Sequence, residues 1–210
     1  ANYDELTGLP HRRALRGILK QSLDQVPVAI LQIDLDHFKE INDSFGHAGG
    51  DSALKHTAAI MLDVLKDNAT CTRLGGDEFV AVMISPGSHE DLIATSRMLL
   101  AQISEPYIHE GEQISIKASI GIAIATPEDA LSPDDILHRS DIALYEVKRT
   151  GRDNFALCTP EMLSEQAAFQ TLTSEMRRGL QNNEFQCYLQ PQIDTGTGAV
   201  IGFEALARWH

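Results

Sequence analysis

Apolar and polar positions alternate along the chain with two different periods, and these predict strands and helices in turn. A nearly continuous apolar run over residues 28–33 predicts a strand buried on both faces. Apolar runs at 70–74 and 79–84 flank a glycine-rich turn and predict a β-hairpin, and residues 114–125 form a long β-rich run. Helical spacing predicts six helices: 10–23, 38–45, 48–65, 91–103, and two that begin at Ser132 and Pro160. Strands that alternate with helices indicate an α/β layer structure.

The composition narrows the class of protein. A hydrophobic share of 43% is typical of a globular chain, and 210 residues fit one domain, or one domain and part of another. No apolar run is long enough to cross a membrane, so we expect no membrane contact from this part of the chain. The net charge of −13 argues against a nucleic-acid surface.

The cysteines point to a reducing compartment. Cys71, Cys158 and Cys187 share no metal-ligand or redox spacing, so each is predicted to be a small buried hydrophobic residue. We expect a cytoplasmic location and leave open a membrane anchor upstream in a longer parent protein.

The predicted hairpin turn, Gly75-Gly76-Asp77-Glu78-Phe79, carries the densest candidate chemistry. Its glycines allow positive φ angles and let a bulky polyanion approach the backbone. The adjacent carboxylates of Asp77 and Glu78 are hard oxygen ligands of the kind that Mg²⁺ prefers. A solvated turn uses the same residue types, so that simpler interpretation stays open at this point.

A second candidate segment follows the buried strand. The strand ends in Asp34-Leu35-Asp36, and a helix begins at His37-Phe38-Lys39. A carboxylate at the end of a strand, followed by a helix N-terminus, places a metal ligand beside free backbone N–H donors and outlines a phosphate site. Asp36 alone is also explained as a helix cap, but a cap does not explain Asp34.

Six ordered segments form one pattern: residues 4–12, 34–51, 73–74, 75–79, 118–123 and 143–154. They match D-x-L-T-G-L-x-N-R, D-x-D-x-F-K-x-x-N-D followed by F-G-H to Asp51, Arg73-Leu74, the signature, A-S-I-G-I-A and A-L-Y-x-x-K-x-x-G-R-N, in that order. Two positions depart from the pattern: His11 stands where Asn is usual, and Asn154 comes one residue late, after Asp153. This pattern resembles GGDEF-domain diguanylate cyclases. The resemblance implies the palm-like, ferredoxin-related core of nucleotidyl cyclases, an α/β (α+β) fold whose central, mostly antiparallel sheet is flanked by helices.

The resemblance also implies an activity in bacterial signal transduction. Two GTP molecules would condense to cyclic di-GMP and two pyrophosphates, with Mg²⁺ or Mn²⁺ as cofactor. Each domain would bind one GTP, so catalysis would need a homodimer. The alternative is a GTP-binding regulatory domain that controls a phosphodiesterase and makes no product.

Roles for individual residues follow from the same resemblance. Asp34, the backbone carbonyl of Leu35 and Asp77 would hold the metal, with Asp77 and Glu78 acting in catalysis. The substrate-binding residues would be Asn42 and Asp51 for guanine, Lys148 and Arg152 for the terminal phosphates, and Phe38, Lys39 and Gly76. Simpler explanations remain for several of them.

Those explanations are structural. Lys148 and Arg152 are ordinary cations at the end of a helix. Asn42 and Asp51 fit a polar helix face and an N-cap near Ser52, and Lys39 fits a solvated position. The four histidines that we considered as ligands are interpreted as packing or surface residues: His37, His47, His56 and His109.

A product-inhibition site that many family members carry has no counterpart here. Its R-x-x-D pattern falls on Lys66 and Ala69. Lysine does not reproduce the bidentate guanidinium fork, and alanine offers no acceptor. We therefore expect no product inhibition through this site.

The last part of the chain predicts a different organisation. We assign residues 1–158 to the GGDEF domain, 159–183 to a linker helix and 184–210 to a hairpin. Residues 204–209 resemble the E-A-L-x-R-W motif of EAL-domain cyclic di-GMP phosphodiesterases, which implies Glu204 as a first metal ligand, Arg208 as a substrate contact, and Gln190 on the preceding strand. That barrel needs roughly 250 residues, so this truncated start is expected to be inactive. With open edges, it is expected to pair with another copy or to be poorly ordered.

Overall fold

The computed structural model describes residues 3–210, which divide into two units, one ending at Leu163 and one spanning Ser164–His210. The elements of the first unit, in chain order, are α1 (Arg12–Ser22), β1 (Val28–Asp36), α2 (Phe38–Leu65), β2 (Thr70–Gly75), β3 (Glu78–Ile84), α3 (His89–Ile103), β4 (Tyr107–His109), β5 (Glu112–Ile114), β6 (Lys117–Ala125), α4 (Pro133–Arg149) and β7 (Phe155–Leu157). Helix α5 (Pro160–Gln181) crosses the boundary between the units, and β8 (Phe185–Ile193) and β9 (Val200–Trp209) complete the second unit.

The central sheet has the strand order β2-β3-β1-β6-β7. All pairings are antiparallel except that of β6 with β7. Strand β1 lies in the middle, and all nine of its residues are buried, as its apolar run predicts. The predicted fold class, a mostly antiparallel sheet flanked by helices, is confirmed.

The two faces of β1 pack against different helices. The odd-numbered residues Leu31 and Ile33 join a core with α2 and α3. The even-numbered residues Val28 and Ile30 join a second core that includes Leu15 of α1 and other residues of α1 and α4. Because side chains alternate along a strand, the polar residues that follow at even positions also face the α1–α4 side.

Several predicted boundaries need correction. The predicted run 114–125 is two strands in different sheets, since β5 pairs with β4 and β6 joins the central sheet. Helix α1 begins at Arg12 rather than at residue 10. Strand β1, by contrast, ends at Asp36 as predicted, with its carboxylates at the C-terminal end.

The two helices predicted over residues 38–65 are confirmed as helical stretches on either side of Gly46. Gly46 has φ 69° and ψ 177°, which interrupts α2 with a backbone conformation that glycine adopts readily. Asp51 lies inside the second stretch, so the alternative that it caps a helix is wrong. His37 and His47 are exposed, and His56 stacks on Tyr107 with ring centroids 4.0 Å apart, as predicted for packing or surface residues.

The second unit contains the predicted hairpin. Strands β8 and β9 pair from Phe185 opposite Trp209 to Ile193 opposite Val200. The Trp209 indole N–H donates to Glu184 Oε2 at 3.0 Å, and the Trp209 ring stacks on Phe185. Most residues of both strands are exposed. Pairing with another copy stays a prediction.

The cysteines differ from one another. Cys71 is buried, as predicted, and burial raises the pKa of its thiol to about 11. Cys158 is only half-buried and Cys187 is exposed on β8, so the prediction of a buried residue is wrong for Cys187. All three are free thiols. No helix within residues 3–210 is both long and apolar enough to cross a bilayer.

Helix α4 lies directly on β6 at Gly121. A Cβ atom on Gly121 would stand 2.1 Å from the Ser140 carbonyl oxygen and 2.4 Å from the Leu144 amide nitrogen. These are backbone atoms, which do not move aside as a flexible side chain does. Gly121 therefore sets the distance between the sheet and the helix that carries Lys148.

We expect Gly121→Ala to destabilise the domain by on the order of 1–3 kcal/mol, because α4 must move off the sheet. Gly17→Ala in α1 is the matched control: its added methyl group meets no atom within 4 Å, and it should be neutral or stabilising by about 0.5–1 kcal/mol. Urea unfolding of both variants measures the difference. Equal free energies of unfolding for the two variants would show that the close packing at Gly121 is not needed.

Candidate active site

Three polar side chains occupy successive even positions of β1, on the face toward α4. Gln32, Asp34 and Asp36 are each less than 10% exposed. Gln32 Oε1 accepts a hydrogen bond from the Ser140 hydroxyl at 2.8 Å, and Asp34 Oδ1 lies 2.7 Å from Lys148 Nζ. Each buried polar group thus has a partner, as burial requires.

The signature turn brings further carboxylates to this end of β1. In the antiparallel pairing of β1 with β3, Asp34 lies directly opposite Glu78. The Leu35 amide donates to the Asp77 carbonyl oxygen at 3.4 Å, which ties the turn to the strand end. Gly75 and Gly76 have φ of 144° and 56°, so the turn needs glycine at both positions. Predicted ligands from two separate segments therefore meet at one edge of the sheet, which is formed by the C-terminal end of β1 and the turn between β2 and β3.

Burial and mutual repulsion shape the charge state of these carboxyls. Burial raises the pKa of Asp34; Lys148 opposes this shift, and Asp77 and Asp36 add to it. Burial also raises the pKa of Glu78, and the charges of Asp34 and Asp77 raise it further. The edge thus holds more negative charge than Lys148 alone compensates.

Arg73 connects the signature turn to Asp4 near the start of the chain. Its Nη1 lies 3.0 Å from both carboxylate oxygens of Asp4, and its Nε and Nη2 donate to the Gly76 carbonyl oxygen at 3.1 and 2.6 Å. Asp4 in turn accepts from the Thr7 amide and hydroxyl at 2.8 and 2.6 Å. The opening motif of the chain therefore fixes the turn through one arginine.

The loop between α4 and β7 reaches the same edge. Asp36 accepts from the Ser119 hydroxyl at 2.8 Å and from the Asp153 amide at 3.0 Å, and Arg152 Nε lies 3.9 Å from Asp36 Oδ1. The residue before α2 is His37, in the left-handed region, and no side chain caps this helix. The alternative that Asp36 is a helix cap is therefore wrong.

The predicted guanine-binding residues lie on α2. Asn42 is half-buried, and its side-chain amide donates to the Phe38 carbonyl oxygen at 3.3 Å. A Cβ on Gly50 would meet the Asn42 side chain at 2.1 Å and the Phe38 ring at 3.2 Å, so the two helical stretches touch here. Asp51, the next residue, and Lys39 are exposed and available to a ligand.

The donor set at the edge fits a divalent cation. Asp34, Asp77 and Glu78 offer carboxylate oxygens, and the Leu35 carbonyl offers another, which is the hard oxygen set that Mg²⁺ takes. A cation there would relieve the repulsion that raises the pKa of Glu78. Within the described residues, no group of three or more carboxylate, histidine or cysteine side chains has the arrangement of a preformed metal site.

In the second unit, the residues that resemble the EAL motif lie on β8 and β9. Gln190 is directly opposite Glu204, so their side chains share one face of the hairpin. Arg208 pairs with Gln186 four positions further on, and all of these side chains are exposed.

Two supporting contacts were not predicted from the sequence. The Asp4–Arg73 pair joins residues 69 positions apart, and the bond between Asp36 and the Asp153 amide joins residues 117 apart. One signal was available: Gln32 is a polar residue inside an apolar run, at a spacing of two from Asp34 and Asp36. That spacing places all three on one face of the strand.

Comparison with known proteins agrees with this arrangement. The family profile described as diguanylate cyclase, GGDEF domain, matches residues 1–154, and the chain therefore belongs to the GGDEF family. The GGDEF domain of TpbB (YfiN) from Pseudomonas aeruginosa superposes with a TM-score of 0.73 at 34% identity, covering 79% of this chain and 99% of that structure.

Two curated relatives align over the whole chain. Cyclic di-GMP phosphodiesterase PdeR of Escherichia coli is 34% identical over 212 residues, which are 32% of its length. The bifunctional diguanylate cyclase/cyclic di-GMP phosphodiesterase MucR of Pseudomonas aeruginosa is 33% identical over 214 residues, 31% of its length. The chain thus spans about a third of these relatives.

The Asp4–Arg73 ion pair predicts a pH-dependent contribution to stability. Partial burial alone would raise the pKa of Asp4, but hydrogen bonds from Thr7 and the charge of Arg73 outweigh it, so the pKa lies below its usual value. A lowered pKa means that the stabilisation is complete above the unfolded-state value near 3.8 and is lost as the pH falls through the folded-state value.

We therefore expect Asp4→Asn to lower the free energy of unfolding at pH 7 by on the order of 1–3 kcal/mol, and by less below about pH 4. Urea titrations at several pH values measure this, with Asp63→Asn on the exposed face of α2 as control. A deficit of Asp4→Asn that stays constant down to pH 3 would contradict the ion pair.

Proposed function

We propose that the first unit is a diguanylate cyclase that condenses two GTP molecules into cyclic di-GMP and two pyrophosphates. The observation that carries this proposal is the register of β1 and β3, which sets Asp34 opposite Glu78, the residue that follows Asp77. Lys148 and Arg152 reach the same edge from α4 and its following loop. Carboxylates for a cation and cations for phosphates are the two halves of a nucleoside triphosphate site.

The residues divide into phosphate and base contacts. Lys148 Nζ, now 2.7 Å from Asp34, and the half-exposed Arg152 guanidinium hold the terminal phosphates. The Asn42 amide and the Asp51 carboxylate read guanine, because a carboxylate accepts from its N1–H and exocyclic amine. Phe38, Lys39 and the Gly76 backbone line the substrate between these ends.

Magnesium or manganese would be held by Asp34, the Leu35 carbonyl and Asp77, with Glu78 assisting. When bound, the ion would lower the pKa of the attacking 3′-hydroxyl and neutralise phosphate charge. The turn glycines keep side chains away from the phosphates, and Arg73 holds the turn in place through the Gly76 carbonyl. Each domain offers one such site, so turnover requires two copies of the domain facing each other.

A second candidate function is a GTP-binding domain that regulates an EAL phosphodiesterase without making product. PdeR, which aligns over the whole chain, is named as a phosphodiesterase, and this favours the alternative. The presence of Asp34, Asp77 and Glu78 together favours the cyclase, because every carboxylate assigned to the metal and to catalysis is retained. The two functions differ in whether cyclic di-GMP is formed.

We assign the hairpin of the second unit to the start of an EAL domain in a longer, cytoplasmic signalling protein. The alignment of PdeR and MucR through residue 210 and the pairing of Gln190 with Glu204 support this assignment. Glu204 is the first metal ligand of that domain and Arg208 a substrate contact. In this assignment, the other metal ligands come from the remaining barrel strands of that domain.

Asp77→Ala should abolish cyclic di-GMP synthesis and leave the stability of the chain within about 1 kcal/mol of wild type, since a turn carboxylate supports little packing. Incubation with GTP and Mg²⁺, followed by chromatography of the products, measures synthesis. Asp24→Ala, which removes an exposed carboxylate from another turn, is the control and should retain the wild-type rate.

The outcomes separate the two functions. Product from wild type and Asp24→Ala but not from Asp77→Ala supports the cyclase. Binding of GTP by the wild-type chain with no product would favour the regulatory domain. Synthesis by Asp77→Ala at the wild-type rate would overturn the site assignment.

A further inference from the structure

Asp36 is the most enclosed carboxylate at the sheet edge, and its hydrogen bonds run to β6 and to the loop after α4. Its side chain is 2% exposed. Oδ1 accepts from the Ser119 hydroxyl at 2.8 Å, and Oδ2 accepts from the Asp153 backbone amide at 3.0 Å. Both oxygens are thus engaged within the protein, which distinguishes Asp36 from Asp34.

The loop that Asp36 contacts has an unusual backbone. Gly151, Arg152 and Asp153 are three consecutive residues with positive φ: 125°, 64° and 49°. Residues other than glycine adopt this region rarely, and such a run persists only where the surroundings hold it. The loop therefore needs contacts that offset the cost of positive φ at Arg152 and Asp153.

The Arg152 amide donates to the Val147 carbonyl oxygen of α4 at 2.9 Å, and the other contacts lie at the ends of β1 and β6. The Asp153 amide donates to Asp36, the Asp153 carboxylate pairs with Lys117, and the Asn154 carbonyl oxygen accepts from the Ile120 amide at 2.9 Å. Lys117 is the register partner of Asp36 on β6. The bond from the Asp153 amide to Asp36 is shielded more than the ion pair, because the Lys117 and Asp153 side chains are substantially exposed.

We infer that Asp36 is a positioning residue for nucleotide binding: it holds the strained Gly151–Asp153 loop so that the Arg152 guanidinium stays beside the carboxylate edge and meets the substrate phosphates. Arg152 Nε lies 3.9 Å from Asp36 Oδ1, with 45% of its side chain exposed and free to contact a ligand. In this role Asp36 acts through Arg152 and contacts neither the metal nor the nucleotide. The inference rests on the proposed function for the role of Arg152.

A double-mutant cycle between Asp36 and Arg152 tests this route. The probe is 3′-deoxyguanosine triphosphate with Mg²⁺, which lacks the attacking hydroxyl, and guanosine monophosphate is the comparison ligand. Calorimetry on the full chain should show that Asp36→Ala and Arg152→Ala each weaken triphosphate binding about tenfold while monophosphate binding stays within about twofold. The double variant should bind no more weakly than Arg152→Ala.

Two further measurements show whether a loss of affinity comes from misfolding, and neither depends on catalytic turnover. Asp36→Asn keeps a carbonyl oxygen that can accept from the Asp153 amide, so it should fold and recover most of the lost affinity. Hydrogen exchange at the Asp153 amide should be faster in Asp36→Ala and unchanged in Arg152→Ala. Circular dichroism of each variant checks the fold.

The possible outcomes test the inference and the proposed function separately. Additive losses in the double variant would show that Asp36 acts directly rather than through Arg152, and would overturn the inference. Unchanged exchange at Asp153 in Asp36→Ala would overturn it as well. Failure of the wild-type chain to bind the triphosphate, with exchange at Asp153 still dependent on Asp36, would overturn the proposed function and the role given to Arg152.

Discussion

The antiparallel register of β1 against β3 is the constraint on which the site depends. With Asp34 opposite Glu78, the turn carboxylates and the strand carboxylate lie at one edge of the sheet. A shift of one residue would turn Asp34 to the other face, among the apolar residues of the α2–α3 core. Burial of Leu31 and Ile33 on that face therefore fixes the register, and the register keeps the polar side chains at positions 32, 34 and 36 on the opposite face.

Concentrating carboxylates at a buried edge requires cations nearby, and the fold supplies them through α4. Lys148 pairs with Asp34 because α4 lies close to the sheet, and Gly121 permits that approach. The same helix leads into the loop that Asp36 holds. Packing of α4 and the electrostatics of the edge are thus two aspects of one arrangement, in which a loss of close packing also moves Lys148 away from Asp34.

Much of this arrangement follows from local sequence pattern. The apolar run of β1, the Gly75-Gly76 turn and the start of α4 at Ser132 are short-range features, and the structure confirms them. The resemblance to the GGDEF family added roles for residues that pattern alone leaves ambiguous, such as Asn42 and Lys148.

The sequence did not indicate which distant residues meet. Nothing in local periodicity links Asp4 to Arg73 or Asp36 to Asp153, because these contacts depend on how strands order in the sheet. The split of residues 114–125 into two strands escaped prediction for a related reason. The run stays β-rich throughout, and only tertiary pairing assigns its halves to different sheets.

The central claim is that Asp34 and the turn carboxylates form a cation-dependent nucleotide site. Its most direct test is the affinity of wild-type chain and Asp34→Asn for 3′-deoxyguanosine triphosphate, each measured by calorimetry with Mg²⁺ and with a chelator. We expect Mg²⁺ to strengthen wild-type binding by about tenfold or more, and Asp34→Asn to lose most of that gain. An equal gain from Mg²⁺ in both proteins would contradict the account.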